Sequence, residues 1–313
     1  MNFKHRKNII AFVTIALIPV LVLTACQPSA NSPTIDESKP TIIVTYSVLG
    51  AVVKDLVGDQ ANVIVPIPNG QDLHDWEPSA RDIEILNNAD LIVKNGLGLE
   101  GGMEKALAQA QEAGVEVFTA SDHITIRIVG AGEGIPSGDP DQVAGAQDPH
   151  LWMDPIAMKQ VVIALAETLQ SDLGLDVSAQ ALDLENRLDE LDRVIAEKVS
   201  GIPAEQRKLV TGHESMGYFA DRYDFKVVGA IVPSLSTQAE VSASELSALK
   251  SLIEEQSVTA IFTELGTPPA VAAAIGEETG IKVVTLSTHT LPEDGSYFTF
   301  MMELCDTIIG AFK

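Results

Sequence analysis

The chain has 313 residues, with 44 acidic against 20 basic side chains, 46% apolar residues and two cysteines. That length and apolar content exclude a disordered chain and allow one large or two medium domains with a sizeable core. A formal charge of −24 argues against nucleic acid as a partner, and two cysteines exclude a disulfide framework or a four-cysteine zinc module.

Residues 1–25 read as a signal peptide. Lys4, Arg6 and Lys7 precede the apolar run IIAFVTIALIPVLVL, which is short for a membrane span and is interrupted by Pro19. Leu23-Thr24-Ala25-Cys26 resembles the bacterial lipobox, which implies cleavage before Cys26 and a lipid attached to it. Residues 26–40 are polar and aperiodic, and read as the lipidated cysteine and its tether. The folded part is therefore expected at the extracytoplasmic face of a bacterial membrane, anchored through Cys26. Cys305 lies in an apolar helical pattern near the C-terminus and is expected as a buried free thiol.

From residue 41 the chain alternates β-branched runs with helical patterns. Strands are predicted at 41–46, 62–67, 90–95 and 115–119, then at 208–212, 226–232, 259–264 and 281–286. Continuous apolar strands between amphipathic helices indicate parallel sheets covered on both faces. The fold class is α/β, with two lobes each built on a four-stranded parallel sheet. Between them, Ala181, Leu184, Leu188, Leu191, Ile195 and Val199 form one apolar stripe, predicting a helix over roughly 177–200. At 1.5 Å per residue it would span about 36 Å, either as a surface helix or as a stiff strut between lobes. The expected boundaries are a first lobe at 41–175, a linking helix at 176–202 and a second lobe at 203–313.

Four histidines follow predicted strands or precede helices: His74 in GQDLHDWEP, His150 in DPHLWMDP, His213 in VTGHESM and His289 in STHTLPE. Ligand sites of parallel sheets form outside the carboxyl ends of strands, so two histidines from each half would converge on the cleft between lobes. Four imidazoles would complete a tetrahedral metal shell. His123 has no matching neighbourhood and is read as an ordinary polar residue. Asp75, Glu77, Asp154, Glu214 and Glu264 lie near the same positions and would offset the charge of a dication or orient imidazole N–H groups. Asp154 before Pro155 reads better as a helix cap, with capping also open for Glu77, while Glu264 reads as an orienting group or a reserve ligand.

The lipobox, GQDLHDWEPSARD, DPHLWMDP, the long central helix, VTGHESMGYFADRY and THTLPEDGSYFTFMM together resemble the metal-binding lipoproteins of ABC importers, cluster A-I, which includes zinc and manganese receptors. The resemblance covers nearly all of residues 41–313. It implies two α/β lobes joined by one rigid helix, metal in the inter-lobe cleft, and delivery to a membrane permease driven by a cytoplasmic ATPase. It places the ligands at His74, His150, His213 and His289. The fourth position is commonly Asp in the family, so His289 is a departure. Four nitrogen donors suit Zn²⁺ better than Mn²⁺ or Fe²⁺. Against zinc, the segment at 124–148 lacks the histidines that zinc receptors of the family often carry there.

The leading expectation is thus a monomeric, non-enzymatic zinc receptor of an ABC importer. Alternatives are a manganese or iron receptor of the same family, an extracellular zinc hydrolase using three of the histidines with Glu214 or Glu264, and an adhesin with a structural metal. A stiff linking helix would confine release to local loop movement at a ligand.

Overall fold

Each predicted strand forms in the computed structural model, which describes residues 35–130, 133 and 143–313. The expected signal peptide, Cys26 and most of the expected tether lie outside the described residues. The tether's last residues are already folded: Asn62 accepts a hydrogen bond from the Asp36 N–H at 3.0 Å and donates to the Asp36 and Lys39 carbonyls. The folded unit therefore begins about five residues before the expected boundary, because a polar turn is tied to a strand start by one carboxamide.

The first lobe is built on a parallel sheet of β1 (Thr41–Val44), β2 (Asn62–Ile64), β3 (Leu91–Lys94) and β4 (Val117–Thr119), in the order β2-β1-β3-β4. Ile42, Ile43, Val44, Ile92 and Val93 are fully buried, as expected for strands covered on both faces. Helix α1 (Ser47–Val57) follows β1. Helices α2 (Ala80–Asn87) and α3 (Glu104–Glu112) pack on each other, and α1 packs on α4 (Pro155–Leu173) and α5 (Ser178–Val199).

Helix α5 is the predicted long helix, about 33 Å from end to end at 1.5 Å per residue. All six stripe residues, Ala181 through Val199, are buried. Burial of each leucine contributes roughly 1.5–3 kcal/mol. The helix is more than a bare strut: it is sandwiched between α4 and the C-terminal helix α9, described below.

The second lobe carries β5 (Lys208–Thr211), α6 (Gly217–Tyr223), β6 (Lys226–Ala230), α7 (Ala243–Gln256), β7 (Ala260–Thr263), α8 (Pro269–Thr279), β8 (Lys282–Thr285) and α9 (Tyr297–Ala311). Here the expectation of one four-stranded sheet needs correction. The strands are parallel, but they pair as β5-β6 and β7-β8, with β5 lying beside β7 without a ladder between them. The β5/β6 register shifts between Leu209 and Val210, and such an irregularity bends a strand. Just past β5, the His213 N–H is taken by the Glu264 side chain.

One apolar cluster runs from Ile42 and Leu49 through Trp152 and Leu188 to Phe219, Phe262 and Phe300, so the lobes share a core. A smaller cluster around Val210, Leu249 and Ile261 belongs to the second lobe alone. Cys305 is buried and unpaired, as expected, and burial pushes its thiol up to about 11. No helix among the described residues is long and apolar enough to cross a membrane.

Candidate metal centre

The four histidines reach one point from four separate segments. His74 lies in the segment between β2 and α2, where its N–H donates to Asp72 Oδ1 at 3.0 Å. His150 opens a short 3-10 turn, Leu151–Met153, that leads into α4. Asp154 caps α4 by accepting the Ile156 N–H at 2.8 Å, with Pro155 in the first turn, as the sequence suggested. His213 sits just beyond β5. Gly212 before it is needed for close approach, since a Cβ there would stand 1.9 Å from Thr267 Oγ1 and 2.7 Å from Glu264 Cγ. His289 lies between β8 and α9.

All four rings are at least 95% shielded, and one ligand nitrogen from each lies within 4.8 Å of the other three. His150 Nε2 is 3.4 Å from His74 Nε2 and 3.1 Å from His213 Nε2. A tetrahedral zinc shell with Zn–N near 2.0–2.1 Å has edges of roughly 3.3–3.4 Å, so these approaches match what a dication would bridge. His289 Nε2 is buried with no hydrogen-bond partner. Such an orphaned nitrogen facing other imidazoles has unmet coordination capacity.

The other face of each of three rings meets an oxygen. His150 Nδ1 is 2.8 Å from Asp148 Oδ1, which also accepts the His150 N–H at 2.9 Å. His289 Nδ1 is 2.9 Å from Thr288 Oγ1. His213 Nδ1 stands 3.0 Å from Glu264 Oε1, but the approach is not aligned as a hydrogen bond, so Nδ1 has no hydrogen-bond partner. At His150 and His289 the hydrogen-bonded oxygen behind the ring favours the tautomer that leaves Nε2 free to ligate.

Burial keeps most of this cluster neutral. It pushes His74 well below the usual imidazole range, with the neighbouring rings adding to the effect. It lowers His289 to about 3, helped by His213. His150 is also lowered by burial, against the opposing pull of Asp148. His213 moves the other way: burial alone would lower it, but the Glu264 charge raises it. Burial would raise Glu264 in turn, yet His213 and the hydrogen bond from Thr288 hold it at about 2.

The acidic candidates separate by position. Glu264 is buried and both its oxygens are engaged. Oε1 accepts the His213 N–H at 2.9 Å, and Oε2 accepts Ser215 Oγ at 2.8 Å and Thr288 Oγ1 at 2.5 Å. It is placed behind the rings and outside the four-nitrogen group. Glu214 is buried but also stands outside that group, with Oε1 unpaired, and burial pushes it up to about 8. Glu77 is exposed and outside the cluster, so it neither orients a ring nor caps a helix. Ser79, two residues on, caps α2 through a reciprocal pair with Asp82. Asp75 is exposed and accepts Gln238 Nε2 at 3.2 Å. His123 stacks on Phe118 away from the site.

Three supporting residues escaped sequence reasoning. Asp148, two positions before His150, had a readable signal in its Asp-Pro-His spacing. Asn95, beyond β3, donates to the Pro149 carbonyl at 2.8 Å and accepts from Tyr46, locking the His150 segment. Trp152 donates across the cleft to the Thr288 carbonyl at 2.9 Å. The last two act between distant segments and leave no local signature.

Residues 42–311 match the family described as zinc-uptake complex component A, periplasmic. A manganese-binding lipoprotein, MntA, of Halalkalibacterium halodurans is 24% identical over 97% of this chain and 99% of its own. The zinc-binding protein TroA of Treponema pallidum is 27% identical over 88% of this chain and 89% of its own. The solved structure of that periplasmic zinc-binding protein superposes with a TM-score of 0.73 at 25% identity, covering 88% of this chain and 99% of that one.

Proposed function

Because the chain belongs to the zinc-uptake component A family of ABC-importer substrate-binding proteins, we propose that its cargo is Zn²⁺, held by His74, His150, His213 and His289. The protein is a transport component and not an enzyme, and it binds a divalent metal. The observation that carries the zinc reading is the donor set: four buried imidazoles with no carboxylate among them. Neutral nitrogen donors in a four-fold shell favour zinc, whereas manganese favours carboxylate oxygens. Glu264, the acid behind His213, has both oxygens engaged by other hydrogen-bond donors.

In this reading the protein captures zinc outside the cytoplasm, anchored through Cys26, and hands it to a membrane permease coupled to a cytoplasmic ATPase. Manganese is the competing cargo, since relatives carry names for either metal. The test is competition titration with zinc and manganese, wild type against His289→Asp. The wild type should bind one zinc per chain and prefer it, and the variant should shift toward manganese by on the order of tenfold. Equal preference in the two forms would defeat the zinc reading.

A further inference from the structure

The segment that carries His289 is held in an unusual way. Between β8 and α9, no backbone–backbone hydrogen bond among the described residues involves residues 287–291. Side chains hold it instead. Thr288 Oγ1 donates to Glu264, and the Thr288 carbonyl accepts the Trp152 indole N–H at 2.9 Å. Within the segment, Ser287 Oγ donates to the Thr290 carbonyl at 2.8 Å. The remaining anchor from another segment is Asn69, in the first lobe. Its Oδ1 accepts the Leu291 N–H at 2.7 Å and its Nδ2 donates to the Leu291 carbonyl at 2.9 Å. One carboxamide thus satisfies both backbone groups of Leu291, as a neighbouring strand would. Ser47 Oγ lies 3.3 Å from Asn69 Oδ1 and steadies it. Gly70 follows at a φ of +81°, and a Cβ there would stand 3.8 Å from the Thr290 side chain, so the turn brings Asn69 close against the loop.

Space lies on both sides of this segment. A hollow of about 510 Å³ is lined by Leu265, Thr285, His289, Phe300, Glu303 and Thr307. Another of about 470 Å³ lies between Lys54, Asn69 and Pro292. The loop therefore has room to swing once its side-chain anchors part. Trp152 and Thr288 are buried, while Asn69 is exposed and its bonds compete with water. Of the anchors supplied by other segments, Asn69 is the one solvent reaches.

We propose that Asn69 is a positioning residue that latches the His289 loop over bound metal, and that parting of the Asn69–Leu291 pair precedes departure of His289 from the ion. This rests on the reading that His289 is one of four zinc ligands. The latch controls the release rate without donating to the metal. Because Asn69 is exposed, its replacement leaves the shared core intact.

The experiment follows transfer of zinc from the loaded protein to excess chelator, together with amide hydrogen exchange at Leu291. It compares wild type, Asn69→Ala and Asn69→Asp. In the Ala variant zinc should leave roughly tenfold faster, reflecting two exposed hydrogen bonds lost. The Leu291 amide should lose its protection, with β3 amides unchanged and stoichiometry still one zinc per chain. The Asp variant keeps the acceptor for the Leu291 N–H but not the donor. Its Leu291 amide should stay protected while zinc leaves at an intermediate rate. Zinc release from the Ala variant at the wild-type rate overturns the latch, as does an unchanged Leu291 amide. Either result leaves the zinc reading standing if the wild type still binds one zinc. A wild type that binds no zinc defeats that reading, and the latch with it, before any variant is compared.

Discussion

His150 and His289 face each other across the same cluster but are mounted differently. Around His150 the backbone is hydrogen-bonded almost continuously: the Asp148 N–H to the Arg127 carbonyl, the Met153 N–H to the His150 carbonyl and the Asp154 N–H to the Leu151 carbonyl. Asp148 grips both the His150 backbone and its ring, and Trp152 is buried in the shared core. Around His289 the holding contacts are side chains from other segments, one of them exposed. A carrier must both bind tightly and let go. A fixed donor opposite a donor on a detachable loop meets both needs without a wide opening of the lobes, across which α5 packs between α4 and α9.

The largest effect that tests this contrast is loss of a donor. His150→Ala should lower zinc affinity by on the order of a thousandfold, because the rigid mount offers no substitute ligand. His289→Ala should cost less, on the order of a hundredfold, since water entering from the loop side supplies a fourth ligand. Competition titration reads both, and equal losses would break the asymmetry. Next is the mount itself. Asp148→Asn keeps the shape but weakens the grip on Nδ1, and should cost about 10- to 100-fold in zinc affinity. A loss under about twofold would mean that the backbone alone positions His150.

The smallest effect is that of pH. Protons compete with metal for imidazole nitrogens, and a ring with a raised pKa competes at higher pH. His74, His150 and His289 are shifted down by burial, so they stay neutral as pH falls below the usual imidazole range. His213, raised by Glu264, protonates first. Between about pH 8 and pH 6, zinc affinity should therefore fall by no more than about tenfold per pH unit, as one proton is displaced per metal. Titrations at several pH values that gave three or four protons per metal would show that the burial shifts do not hold in solution.

Much of the architecture was legible because it is written locally. TIIVTY and DLIVKN are apolar runs that only a strand covered on both faces would bury, and both form strands. The three- and four-residue spacing from Ala181 to Val199 is one helix face, and that face is buried. The position of each histidine after a strand or before a helix was equally readable. Glu77 misled because proximity in sequence to His74 does not by itself bring a side chain into the site: Glu77 is exposed, and two residues further on Ser79 caps α2. The second lobe's strand pairing also went unread, since no residue type marks where one ladder ends and a neighbour merely lies alongside.

From residue types and their spacing alone came the α/β alternation, the linking helix, the four histidines and the cap at Asp154. These depend on periodic burial and short-range bonding, which act over a few residues at a time. Only the folded chain decided that Asp148 backs His150, that Glu264 is occupied behind His213, and that Asn69 reaches Leu291 across 222 positions. Those contacts join segments whose meeting depends on how the lobes share one core, and a directional hydrogen bond between them leaves no periodic trace in either segment.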